Sequence, residues 1–132
     1  ITNFVRLEKC SKIGLFYNDL KNEMNKAWSS TIYRDLFNGK LPSGIEFVCF
    51  GDLNSARPDG KEGEAYDFLL RYRRQDKNVF IYPVKNACDT NLASYKLEHA
   101  KIEGFFCIPV EKGTARIGLE KDRFDELVKL SR

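Results

Sequence analysis

The run GFFCIPV (Gly104–Val110) constrains this chain most. It is nearly all apolar, so no face of it can be left to water. It is too short for a membrane span and too rich in β-formers for a surface helix. It therefore predicts a strand covered on both sides. Two further apolar segments, IEFVCFG (Ile45–Gly51) and VFIYPVK (Val79–Lys85), read as strands of the same sheet. Pro83 has no N–H for a ladder, which predicts a bulge or an early end of pairing there.

Helices are expected around these strands. Ser11–Asn38 carries Phe16, Leu20, Met24 and Ala27 on one stripe, widened by Leu15 and Trp28. Ser29-Ser30-Thr31 kinks it or re-caps a second piece, with Ile32, Leu36 and Phe37, that Gly39 ends. Asp89 or Thr90 caps a helix to about Glu103, with Ala93, Leu97 and Ala100 inward. Asp122–Leu130 reads as a closing helix with Phe124, Leu127 and Val128 inward. Ala65–Arg73 and Ala115–Glu120 complete the strands. Asp52–Glu64 is a polar loop, and its Arg57-Pro58-Asp59-Gly60 is a turn. The expected order is α-β-β-β-α-β-β-α: an α/β (α+β) fold with a mixed central β-sheet flanked by helices. The first three strands would form an antiparallel meander, with a fourth brought alongside in parallel by a helical crossover.

At 132 residues, 42% of them hydrophobic and 17 aromatic, the chain suits one domain over residues 1–132 with a large core. A first residue other than Met leaves room for excision from a larger protein. Net charge is +3, which permits a polyanionic partner without demanding one. The four cysteines include no C-x-x-C, and one histidine accompanies them, which argues against the usual structural zinc sites. Cys49 and Cys107 lie in apolar runs and read as buried thiols, giving an intracellular expectation, cytoplasmic or nuclear. The even count leaves disulfides open. No run reaches membrane-spanning length, and ITNFVRLEKC lacks a signal-peptide core. His99 has no neighbouring nucleophile, and no P-loop or G-x-S-x-G occurs.

Two charges bracket the segment YDFLLRYRRQDKNVFIYPVKN: Asp67 near the head of the second expected strand and Lys85 at the end of the third. In this element order the chain resembles the PD-(D/E)XK, restriction-endonuclease-like nucleases over roughly Ser11–Glu120. That family places an acid on the second strand and an acid-x-Lys pair on the third. Pro83 stands where the second acid belongs, so the motif departs from the pattern. The resemblance then implies an acid supplied from the next helix, for which Glu98 is best placed, ahead of Glu103, with Glu23 as an auxiliary. Asp67 and Glu98 would hold Mg2+ (or Mn2+), and Lys85 would handle the attacking water. The implied partner is nucleic acid, DNA ahead of RNA, in a homodimer or larger complex. Arg71, Arg73, Arg74 and Lys77 would track its phosphates. Each residue also has an ordinary reading: Asp67 and Lys85 as solvated strand ends, Glu98 as a helix-surface charge, the arginines as a solvated turn. A catalytically inactive nuclease-like binding domain and an unrelated α/β interaction module are the alternatives.

Overall fold

A computed structural model describes residues 2–132, with side chains from Leu7 onward. The fold is mixed α+β, with two helices and two four-stranded sheets among the described residues. The elements are α1 (Thr2–Ser29), β1 (Tyr33–Lys40), β2 (Phe47–Gly51), α2 (Gly60–Leu69), β3 (Val79–Tyr82), β4 (Ser94–Tyr95), β5 (Ala100–Lys101), β6 (Phe105–Pro109), β7 (Thr114–Lys121) and β8 (Val128–Ser131). Strand order is β1-β7-β8-β5 in the first sheet and β4-β3-β2-β6 in the second.

The apolar runs behave as expected. Phe105–Ile108 are all buried, and β2 pairs antiparallel with both β3 and β6. Pairing in β3 stops at Tyr82, immediately before Pro83. The α1 stripe is buried through Phe16, Leu20, Met24 and Ala27, with Ile13 and Tyr17 beside them. Leu15 and Trp28 stay exposed rather than widening it. At about 1.5 Å per residue, this helix is roughly 40 Å long. It packs across β1, β7 and β8.

Four element assignments are corrected. The second half of the first expected helix is strand β1. α1 ends at Ser29, where Ser30 closes the last turn with its N–H on the Ala27 carbonyl and its hydroxyl on that of Lys26, and Tyr33–Lys40 then pairs residue for residue with β7. Eight paired positions outweigh local helix preference. The expected strand Ala65–Arg73 is α2 followed by a 3-10 turn, Leu70–Tyr72. Ala65, Tyr66 and Leu69 are also the spacing of a helix face, and a short apolar run fits either period.

The expected helix from Asp89 is one 3-10 turn, Thr90–Leu92, followed by β4 and β5. Asp89 does cap it, accepting from Asn91 N–H. Asn78 then clamps Leu97 through both its N–H and its carbonyl, and His99 takes φ +67°, so no helix can continue. Ala93 and Leu97 are nonetheless buried. Finally, Asp122–Leu130 is a loop and strand β8, not a helix. Val128 and Leu130 alternate inward between β7 and β5, while Phe124 is 92% exposed. The β5–β8 pair is parallel, so the parallel contact exists but joins elements other than those expected.

Cys49 and Cys107 are register partners across β2 and β6 and form a disulfide, not two thiols. A second disulfide joins Cys10 of α1 to Cys88, beyond β3. The two sheets are linked by a tight turn between β6 and β7, closed by a Glu111–Thr114 bridge, whose central residues, Lys112 and Gly113, have φ +53° and +74°. That is the primed-turn geometry matching the twist of the flanking strands.

Candidate anion-binding groove

The residues singled out for metal chemistry lie on four separate segments. Asp67 is on α2, not at a strand head, and Arg57 holds it in a fork: Nε donates to Oδ1 at 2.9 Å and Nη2 to Oδ2 at 3.0 Å. Lys85 is exposed on a 3-10 turn, Val84–Asn86. Glu98 is exposed between β4 and β5. Glu23, on α1, accepts from the Tyr33 hydroxyl. Burial, then the hydrogen bond and charge of Glu23, push the Tyr33 phenol up. Among the described residues, no three His, Cys, Asp or Glu side chains group as metal ligands.

The Arg57 fork holds the Asp67 carboxyl below the usual carboxylate range. A depressed folded value means the pair's stabilisation is present above the unfolded value of about 3.9 and is lost as pH falls through the folded one. Arg57→Met should return Asp67 to ordinary titration. Carboxyl-carbon NMR checks this, and an unchanged midpoint would mean that the fork is not formed in solution.

The basic residues from Arg71 to Lys77 divide. Arg71 lies over the Phe68 ring at 4.0 Å, and Arg74 is exposed. Arg73 and Lys77 line a 290 Å³ cavity with Lys96, facing Asp52 and Asp76. Lys96 is already paired with Asp76 at 3.2 Å. The charges in this cavity nearly balance.

A larger groove, 740 Å³, lies where the first sheet meets the end of β6. Strand alternation builds it. Ala115 and Ile117 are buried, so Thr114 and Arg116 face outward on β7. Register places Lys40 opposite Thr114 and Asn38 opposite Arg116. The Lys112-Gly113 turn carries Lys112 to the rim, and Arg132 enters after β8. Ile108 and Pro109 contribute apolar surface from β6, and Glu111 is the single carboxylate.

Each cation is held differently. Lys40 Nζ donates to Thr114 Oγ1 at 3.1 Å. Arg132 pairs with Glu62 at 2.6 Å and lies 5.9 Å over the Phe106 ring. Among the described residues, Lys112 and Arg116 have no carboxylate within ion-pair distance. A shallower 370 Å³ depression continues along the same sheet face through Arg132 and Ser131 to Arg34, which is paired with Glu120.

With Arg132 paired to Glu62, Lys40, Lys112 and Arg116 against Glu111 still leave a positive excess in one concavity, which raises the local concentration of anions. Sequence reasoning missed this site because Lys40, Lys112, Arg116 and Arg132 are scattered along the chain. The alternation in ARIGLE already turns Arg116 outward. Its partner strand, which sets Asn38 opposite Arg116 and Lys40 opposite Thr114, is hidden when residues 33–38 read as helix. No family model, curated protein or solved structure matches the chain.

Proposed function

We propose that this chain is a non-catalytic binding module whose groove receives a polyanion, with nucleic acid as the partner to try first. The convergence of Lys40, Lys112, Arg116 and the Glu62-paired Arg132 on one groove whose described lining holds Glu111 as its one acidic side chain carries this reading. Among the described residues, no aromatic side chain lines the groove, so recognition would go to phosphates rather than to stacked bases.

A labelled single-stranded oligonucleotide, followed by fluorescence anisotropy, tests it. Neutralising about four phosphates gives a log–log salt slope of about 3. Lys112→Ala with Arg116→Ala should weaken binding about tenfold or more and roughly halve that slope. Both positions are exposed, so stability should change by less than about 1 kcal/mol. Absence of binding at low salt, or a slope unmoved by the double variant, would sink the proposal.

The metal-dependent nuclease, with its restriction-endonuclease-like core and with Asp67, Glu98 and Lys85 around Mg2+, is the competing hypothesis. The same oligonucleotide separates the two. Cleavage with Mg2+ or Mn2+ that EDTA stops and Lys85→Ala abolishes would favour the nuclease. Intact oligonucleotide that stays bound favours the module.

The intracellular expectation rested on free thiols. With all four cysteines paired, an oxidising compartment fits better. No helix among the described residues is long and apolar enough to cross a membrane.

A further inference from the structure

We infer that the β7–β8 loop of a second copy of this chain docks in the groove, so that chains associate head to tail along the strands of the first sheet. This rests on the groove being an anion-binding site.

The loop is shaped for such a role. Asp122, Asp125 and Glu126 give it three carboxylates against Arg123 alone, and Phe124 stands between them at 92% exposure. A freely moving loop would fold this ring down. Here the backbone is held from several sides. Asp122 N–H donates to Asp125 Oδ2 at 2.9 Å, and Asp125 N–H returns to the Asp122 carbonyl at 3.0 Å. Trp28, stacked on His99, donates its indole N–H to the Glu126 carbonyl at 3.1 Å. Lys121 Nζ reaches the Ser30 carbonyl, and Val128 N–H reaches that of His99. The loop is thus ordered before any partner arrives, which lowers the entropy cost of docking. An exposed aromatic ring on a held backbone can serve as an interface anchor, and the carboxylates around it set the sign of the surface that receives it.

The groove offers the complement: four cations on its walls, and Ile108, Pro109 and the aliphatic stems of Lys40 and Arg116 to cover a ring. Placement decides who the partner is. The β1–β7 ladder runs from Tyr33–Lys121 at one end to Lys40–Thr114 at the other. Seven residue steps separate those ends by about 23 Å. The loop follows Lys121, and the groove opens at Thr114. One molecule cannot reach its own groove, but a second copy displaced along the strands can. Donor and acceptor surfaces differ, so the contact is heterologous and gives a ring or an open chain.

Sedimentation velocity over a protein concentration series tests this. At low salt, the weight-average coefficient should rise with concentration. In about 1 M salt, where screening acts within about 3 Å, it should return to the monomer value. A tip variant, Phe124→Ser with Glu126→Lys, and a groove variant, Lys112→Glu with Arg116→Glu, should each stay monomeric. Mixed in equal amounts, they should form a dimer and stop there, because each supplies the one face the other lacks. Wild-type protein that remains monomeric at low salt would overturn the inference, as would association unaffected by either variant. If the wild type binds oligonucleotide yet never self-associates, the groove reading stands and this one falls. If it does neither, both fall.

Discussion

Replacing Cys49 and Cys107 together by alanine should lower the unfolding free energy by about 4 kcal/mol. The bridge closes a loop spanning 58 residues, and the chain-entropy argument for a loop of that length gives about this value. Both residues are fully buried in the middle of the second sheet, so the lost sulfur contacts add to the loss. Urea titration of the oxidised wild type and the double variant measures the difference. A loss under about 1 kcal/mol would mean that the cysteines are thiols in the native protein. The half-buried Cys10–Cys88 bridge should open first under mild reductant. Mass mapping of alkylated cysteines would show the order. Neither bridge should form in a reducing cytosol, which ties this prediction to the compartment proposed above.

Gly51→Ala should cost about 3 kcal/mol or more. Gly51 ends β2 at φ +125°, a conformation that L side chains rarely adopt. A Cβ there would penetrate the Gly104 carbonyl and come within 2.9 Å of Phe105 Cα. Both neighbours are backbone, at the start of β6, and Gly51 is itself paired with Phe105. No side chain can swing away, so strain and lost pairing combine. Gly14 is the control. It lies on the exposed face of α1 with nothing within 4 Å of its would-be Cβ. Gly14→Ala should stabilise by about 1 kcal/mol, the ordinary helix gain. Thermal melts of the two variants should move in opposite directions, and equal shifts would mean that β2 and β6 do not meet as described.

How much was legible beforehand varied with the burial of each segment. GFFCIPV and VFIY were readable as strands because an unbroken apolar run flanked by turn residues has few other options. The α1 stripe was readable because four apolar positions recur at helical spacing. Ala65–Leu69 was not, because a run of five residues with four apolar ones is too short to tell the two periods apart. Asp122–Leu130 failed for a related reason. Phe124, Leu127 and Val128 suggest a helix face, yet Val128 and Leu130 also suggest a strand face, and pairing with β7 and β5 selected the second.

The candidate site follows the same division. Asp67 and Lys85 drew notice because they bracket two apolar runs, but Asp67 sits in a helix and serves Arg57. Lys112 and Arg116 are ordinary surface charges in the sequence; only the β1–β7 pairing brings Lys40 alongside them.

The sequence by itself determined much of what leaves water: the apolar strands, the α1 stripe of Phe16, Leu20, Met24 and Ala27, and even Ala93 and Leu97 in a segment assigned to the wrong element, but not the exposure of Leu15, Trp28, Phe124 and Leu127. Burial follows from side-chain chemistry, which is local. Only the tertiary structure decided which strands pair, that Cys49 meets Cys107, and that four distant cations share one groove. Those outcomes depend on ladder register between segments far apart in the chain. A one-residue slip in that register would turn every side chain of a strand to its other face.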